Sequence, residues 1–197
     1  MERRDRIKSR AGTDSAIKGG GLLTIKKDSG INIIQINDLD LESDNTTEVL
    51  KVKIIWKGSM FVISNICIPP IAKCAADHRI QRFTADNVFN KCLTSCEFSH
   101  HTIAGDMNAH NAIWDQNIKD DNIGTDILEW ALENSISIAN TGKATFCSKS
   151  STKIQSSPDI TLSTNGISVS QWKLLKPTSS DHLPIHFLVC AVKAGES

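Results

Sequence analysis

Residues 102–115 join an apolar stretch to a polar one, and they constrain the fold more than any other part of the chain. The apolar residues predict the end of a buried strand, and Gly105 allows the backbone to turn there. Asp106 and Asn108 follow at a spacing of two, which points both side chains to one face of an extended segment. A carboxylate and an amide at a strand end suit a metal-assisted phosphate site. The alternative is a turn in which both side chains bond their own backbone, and this motif alone leaves both interpretations open.

Two more polar stretches lie beside predicted strands near the C-terminus. Asp159 follows a serine-rich loop and begins an apolar run, while Asp181 and His182 precede another apolar run. The ordered motifs Gly-Asp-x-Asn, Ser-Ser-x-Asp and Ser-Asp-His-x-Pro-Ile resemble the endonuclease/exonuclease/phosphatase superfamily, which includes exonuclease III, the apurinic endonucleases and deoxyribonuclease I. The chain is especially similar to the endonuclease domain of non-LTR retrotransposons, whose further motifs are matched at residues 19–21, 68–70 and 140–146.

This resemblance implies a divalent-metal-dependent DNA endonuclease with five catalytic residues. Asp106 would orient or deprotonate the attacking water, Asn108 would hold a phosphoryl oxygen, and His182 would contact the scissile phosphate. Asp159 would pair with His182 and fix its tautomer. Asp106 and Asp181 would be the ligands of Mg²⁺ or Mn²⁺. From the residues alone, Asp181 could instead cap a turn, and His182 could be a buried histidine with its hydrogen bonds satisfied.

Two smaller groups of polar residues have open roles. His110 and Trp114 follow the Asp-x-Asn turn and are predicted to bind substrate in the cleft, with packing of the loop as the alternative. Four other residues are spaced like zinc ligands, although apolar neighbours favour core packing for them; they are Cys92, Cys96, His100 and His101.

The chain departs from the family pattern in two places. The family begins with a strand ending in Asn, a helix, and a strand ending in a metal-binding Glu, all upstream of the glycine triplet. Only 18 residues precede Gly19 here, and none of them matches. Cys67 stands where relatives usually carry a Tyr, and a thiol is a weaker donor than a phenol. We therefore expect an impaired nuclease that lacks this first strand–helix–strand. A non-catalytic remnant and a phosphatase of the same superfamily are the alternatives.

The apolar periodicity predicts a strand-rich chain with two helices. The helices are expected at residues 77–96 and 126–134. A hairpin should join strands 49–56 and 60–68 through a turn at Gly58, and residues 148–158 should form a loop. Further strands are predicted at 22–26, 31–36, 135–139, 159–162, 169–175 and 183–192, and another should lead into Asp106. This pattern, with the resemblance, predicts an α/β fold, a two-sheet α/β sandwich of the deoxyribonuclease I type.

The overall composition limits the domain count and the cellular compartment. The 197 residues suffice for one domain, expected at 19–197, with residues 1–18 as a disordered basic tail. Basic and acidic side chains balance at 22 each, so the whole chain has no basic signature. No apolar run reaches membrane-spanning length and no signal peptide precedes the domain. We expect an intracellular protein with DNA as its partner and no membrane or stable protein partner evident. The resemblance implies nuclear action and fusion to a C-terminal reverse transcriptase.

Overall fold

The computed structural model describes residues 2–3, 22–23, 30–36, 47–70, 85–94, 100–149 and 154–191. In this part of the chain a π-helical turn, Asp86–Asn90, leads into helix α1 (Lys91–Thr94), and helix α2 spans Asn122–Glu133. The strands are β1 (Glu2–Arg3), β2 (Leu22–Leu23), β3 (Asn32–Ile36), β4 (Glu48–Trp56), β5 (Ser59–Cys67), β6 (His101–Asp106), β7 (Ser137–Ile138), β8 (Phe146–Cys147), β9 (Gln155–Ser156), β10 (Asp159–Ser163), β11 (Ile167–Leu174) and β12 (Ile185–Ala191).

A mixed six-stranded sheet with the order β3-β4-β5-β6-β10-β7 forms the centre of the described structure. Strands β4 and β5 form the predicted hairpin, and Lys57 and Gly58 at its turn have φ angles of 49° and 78°. Two successive positive φ angles match the twist of paired strands, which is why glycine is favoured there. β5 then pairs in parallel with β6, and β6 pairs antiparallel with β10.

Apolar side chains on the helical side of this sheet form the larger core. Phe89 and Trp130 meet there with ring centroids 4.7 Å apart, and Ile127 of α2 is fully buried beside them. From the sheet, Ile103 and Ile160 contribute to the same cluster. Each such side chain contributes about 1.5–3 kcal/mol on burial, so this core holds the helices over β6 and β10.

The hairpin of β11 and β12 covers the opposite face of the sheet. Ile167 is buried in a second cluster with Val52, Ile54, Phe61 and Ile63 of the central sheet. The molecule is therefore layered as helices, a six-stranded sheet and a second two-stranded sheet, in agreement with the predicted sandwich. Strand β11 lies against β10 of the central sheet, because Trp172 Nε1 donates to Thr161 Oγ1 at 3.1 Å.

Gly105 is required by the close approach of two strands just before the polar turn. Its φ is 143°, and a Cβ added there would lie 2.0 Å from the Ile66 carbonyl oxygen. The Ile68 amide then donates to the Asp106 carbonyl at 2.8 Å, which continues the β5–β6 pairing to the strand end. The glycine thus lets β6 stay against β5 up to the residue that carries the carboxylate.

Several predicted boundaries differ from the structure. Helix α2 begins at Asn122 and not at 126, because Asp121 caps it by accepting the Gly124 amide hydrogen at 2.6 Å. The expected loop at 148–158 contains strand β9, which pairs with β8. Of the helix expected at 77–96, residues 85–94 are described and are helical, and the others lie outside the described part.

At the N-terminus, a strand that was not expected, Glu2–Arg3, pairs antiparallel with Leu22–Leu23 of the strand expected at 22–26. The rest of the predicted tail, residues 1 and 4–18, lies outside the described residues. None of the described helices is long and apolar enough to cross a membrane.

Candidate active site

Two carboxylates face each other at one end of the central sheet. Asp106 ends β6 and Asp159 begins β10, and the antiparallel register makes them direct Cα partners. Directly opposite residues point to the same face of a sheet. Since Ile103 and Ile160 point into the helical core, Asp106 and Asp159 point to the other face, toward the second sheet.

His182 lies between these two carboxylates. Its Nδ1 is 3.0 Å from Asp159 Oδ2, and its Nε2 is 3.7 Å from Asp106 Oδ2. The expected contact between Asp159 and His182 is therefore present. Phe146 packs edge-on against the imidazole with ring centroids 5.1 Å apart, and it forms an isolated β-bridge with His182. This contact holds the ring in place from the side of β8.

Thr145 supports the pair from behind and was not predicted as a site residue. Its Oγ1 lies 2.5 Å from Asp159 Oδ2, while its carbonyl accepts the Leu183 amide hydrogen at 2.7 Å. Asn140 braces the same strand by donating to the Asp159 carbonyl at 2.8 Å. Both residues lie in the 140–146 motif that carried the resemblance, and that motif was the available signal.

Burial and neighbouring charges shift the pKa values at this site in a consistent way. Burial, and next the negative charge of Asp159, raise the pKa of Asp106 from 3.8 to about 6. The hydrogen bond to Asp159 raises the pKa of His182 from 6.5 to about 9, with the charges of Asp159, Asp106 and Asp181 adding to it against burial. At neutral pH the imidazole is therefore a cation that bridges two acidic groups.

A family model described as endonuclease-reverse transcriptase matches residues 61–186, which is more than half of the chain. The chain belongs to the endonuclease-reverse transcriptase family. This family is part of the endonuclease/exonuclease/phosphatase superfamily, as the sequence motifs predicted. The match includes all five residues to which the resemblance gave a catalytic role. No curated protein sequence matches the chain.

Two solved structures show the fold of this family member. One is the endonuclease domain of TRAS1, a telomere-specific non-LTR retrotransposon, with 21% identity and a TM-score of 0.60, covering 84% of this chain and 72% of that one. The other is the inositol polyphosphate 5-phosphatase domain of SpSynaptojanin, with 10% identity and a TM-score of 0.50, covering 82% of this chain and 57% of that one. Both confirm the two-sheet α/β sandwich.

Asn108 and Asp181, the other two predicted catalytic residues, lie at the edge of the same site. Asn108 has a φ of 45° and donates from Nδ2 to the Ile68 carbonyl at 2.7 Å. Its backbone amide donates to Asp106 Oδ1 at 3.2 Å, so the Asp106 side chain makes the backbone bond that the turn interpretation predicts. Asp181 is exposed, and its carbonyl accepts the Cys147 amide hydrogen at 2.9 Å.

The two predicted substrate-binding residues differ in accessibility. Trp114 is fully buried in the helical core, and its Nε1 donates to the Ala109 carbonyl at 3.2 Å. Its side chain therefore packs the loop and does not face a cleft. His110 is partly exposed, and its Nδ1 lies 2.8 Å from Asp115 Oδ2. The structure thus separates two residues that the sequence grouped.

The alternative zinc set is not supported by its described members. Cys92 is buried in the helical core, and His101 Nε2 lies 2.8 Å from Ser64 Oγ. Cys96 lies outside the described residues. Burial, with the charge of Lys51, lowers the pKa of His101 to about 3, so this imidazole is neutral.

Among the described residues, the one cluster of acidic, His and Cys side chains that could hold a metal contains Asp106, Asp159 and His182, with ligand atoms within 4.8 Å of one another. Endonucleases of this superfamily generally depend on divalent metals. His182 is protonated and bonded to Asp159, so it does not fit a ligand role. Asp106 fits better, since it is a half-buried carboxylate with a raised pKa, and a cation would stabilise its charged form. The residues present therefore fit a hard cation held by Asp106.

Proposed function

We propose that this protein is a divalent-metal-dependent DNA endonuclease of the non-LTR retrotransposon type. The observation that carries the proposal is the position of the His182 imidazole, 3.0 Å from Asp159 and 3.7 Å from Asp106, on the fold of a nuclease family. The protonated His182 ring lies between two carboxylates. It can donate its Nε2–H to the oxyanion of a phosphate that approaches from solvent.

The residues divide the work of phosphodiester hydrolysis among them. Asp106 orients or deprotonates the attacking water, which suits a carboxyl group whose pKa of about 6 is near neutrality. Asn108 donates to a phosphoryl oxygen with the amide hydrogen that Ile68 does not use. His182 contacts the scissile phosphate and stabilises the developing charge, while Asp159 fixes its tautomer.

Asp106 and Asp181 are the proposed ligands of Mg²⁺ or Mn²⁺. A metal bound there would supply Lewis-acid stabilisation and lower the pKa of its water. Asp181 is close enough for its charge to raise the pKa of His182, and its exposure leaves the carboxylate free to meet a hydrated ion. Magnesium keeps several waters and takes only one or two carboxylates, so Asp106 with Asp181 would be enough to hold it.

DNA is the proposed partner, and chromosomal DNA in the nucleus is the proposed place of action. The TRAS1 structure belongs to a retrotransposon, and the family description couples an endonuclease with a reverse transcriptase. We propose the same association here, with residues 19–197 as the endonuclease domain and residues 1–18 as a tail. His110 is the proposed substrate-binding residue with solvent access.

We also propose that the 197-residue chain alone cleaves slowly. The metal cluster in the described part of the chain contains no glutamate, and the first strand–helix–strand of the family is not matched within residues 1–197. Cys67 is buried at 9% exposure in the place where relatives usually carry Tyr, so a phenol contact to phosphate is missing. Each lost ligand or donor lowers the affinity for metal or the stabilisation of the transition state.

Nicking of supercoiled plasmid in Mg²⁺ and in Mn²⁺ tests the proposal. Asp106→Asn and His182→Gln should each abolish the remaining nicking, whereas Glu133→Gln and His100→Gln should retain it. Glu133 is an exposed acid at the end of α2, and His100 precedes the opposite end of β6. The two variants are therefore controls that make the same acid-to-amide and His-to-Gln changes away from the site.

Comparing the nicking rates of the site variants with those of the control variants decides between the proposed function and its alternatives. Metal-independent nicking, or nicking that survives in Asp106→Asn, would exclude the proposed chemistry. Hydrolysis of sugar or lipid phosphates without nicking of DNA would favour the phosphatase alternative. A chain that folds but cleaves neither DNA nor these phosphates would be the non-catalytic remnant.

A further inference from the structure

A second carboxylate–imidazole pair, Asp115 and His110, lies near the site, and its carboxylate has no part in the chemistry described above. The Asp115 carboxylate is fully buried, and its Oδ2 lies 2.8 Å from His110 Nδ1. The same oxygen accepts the Ser157 amide hydrogen at 2.7 Å, and Oδ1 accepts that of Asn117 at 3.1 Å. Because a carboxylate accepts hydrogen bonds, the imidazole hydrogen at this contact belongs to Nδ1.

Hydrogen bonds place this pair at the same edge of the sheet as the catalytic residues. Ser157 precedes Asp159 by two residues, and the Pro158 carbonyl accepts the Met107 amide hydrogen at 3.0 Å. The segments that carry Asp106 and Asp159 therefore continue side by side beyond the strand ends. Two residues of extended chain span about 7 Å, so the Asp115 carboxylate is anchored within that reach of Asp159.

Packing of the loop does not explain the position of the His110 side chain. Trp114 fills the interior of the loop, while the His110 side chain is 23% exposed. Its Nε2 makes no hydrogen bond to the described residues. A buried acid that holds Nδ1 of a partly exposed imidazole repeats the arrangement of Asp159 and His182.

We propose that His110 binds a backbone phosphate next to the scissile one, and that Asp115 is its positioning residue. In the imidazolium form the ring has one free N–H, on Nε2, and a single cationic donor suits one phosphate oxyanion. At this edge of the sheet the available oxyanion is a neighbouring phosphate of the strand being cut. The inference rests on the proposed function and adds a second contact to the substrate.

Phosphate interference in the nicking reaction tests this contact and works on any target sequence. Duplexes that each carry one uncharged methylphosphonate at a random position are nicked in buffer with Mn²⁺. In the nicked products, the position of each methylphosphonate is then mapped relative to the nick. For the unmodified chain we expect few nicked products with a methylphosphonate at the scissile position, and few with one at a single neighbouring position.

His110→Asn is the informative variant, because the asparagine amide can take the place of Nδ1 and keep Asp115 bonded while the Nε2 donor is lost. It should nick about tenfold more slowly, the effect of one hydrogen bond to a charged group, and the depletion of methylphosphonates at the neighbouring position should disappear. His100→Asn is the matched control and should keep the full interference pattern. Asp115→Asn should weaken depletion at the same position only, whereas a purely structural role would slow nicking without changing the pattern.

The outcomes separate this inference from the proposed function. If the unmodified chain and His110→Asn both nick DNA with the same interference pattern, His110 contacts no phosphate and the inference fails while the nuclease function stands. If the unmodified chain gives no nicks in either metal, both fail. Loss of the depletion at the neighbouring position in His110→Asn, with the scissile position unchanged, supports the inference.

Discussion

Replacing Asp159 by asparagine tests the contact on which the site geometry depends. The hydrogen bond to Asp159 is the largest cause of the rise in the pKa of His182 from 6.5 to about 9. An asparagine keeps the shape of the side chain but removes the charge and one acceptor oxygen. We therefore expect the pKa of His182 in Asp159→Asn to fall to about 6.5 or below, since burial then acts against a weaker attraction.

The pKa shift predicts how stability changes with pH. A rise from 6.5 to about 9 corresponds to about 3 kcal/mol at about 1.4 kcal/mol per pKa unit. Because the His182 side chain is 33% exposed, solvent screening reduces this to about 1–2 kcal/mol. The folded-state pKa is raised, so this stability is fully present below pH 6.5 and is lost as pH rises through 9.

Proton NMR titration of the imidazole and urea unfolding, both in metal-free buffer, measure the two quantities. The unfolding free energy of Asp159→Asn should be lower than that of the unmodified chain below pH 6.5 and should approach it above pH 9. Glu133→Gln should leave both measurements unchanged. A His182 that titrates near 6.5 in the unmodified chain, or an unchanged titration in Asp159→Asn, would refute the argument.

Three further predictions concern other parts of the chain. Gly105→Ala should destabilise the fold by several kcal/mol in urea unfolding, because the Cβ would lie 2.0 Å from the Ile66 carbonyl oxygen; a change below about 1 kcal/mol would contradict this close approach. The lowered pKa of His101 means that stability should fall as pH drops from 6.5 toward 3, since the unfolded chain takes up the proton first. His101→Phe should make the unfolding free energy depend less on pH in this range. An equally steep dependence would exclude His101 as the cause. Thr145→Val should slow nicking about tenfold by removing the hydroxyl 2.5 Å from Asp159 Oδ2, whereas Thr145→Ser should stay within about twofold; equal rates for the two variants would argue against the role of the hydroxyl.

Local sequence was sufficient where structure depends on neighbours along the chain. The β4–β5 hairpin follows from alternating apolar residues on either side of Gly58, and its turn was placed correctly for that reason. The pairing of Asp159 with His182 was predicted from ordered motifs that carry a family resemblance, and the contact is present at 3.0 Å. The roles of these side chains in catalysis remain predictions.

Tertiary structure decided the features that depend on residues far apart in sequence. The register that sets Asp106 opposite Asp159 comes from strand pairing. Burial is the main cause of the raised pKa of Asp106, and the paired charge of Asp159 adds to it. In the sequence nothing distinguishes Thr145 from other loop threonines, and only the folded chain brings its hydroxyl against Asp159. Asp115 likewise becomes notable only through its burial beside Ser157, 42 residues away. Spacing along a chain predicts which face a side chain points to, but only packing determines which distant groups share that space and how far water is excluded from them.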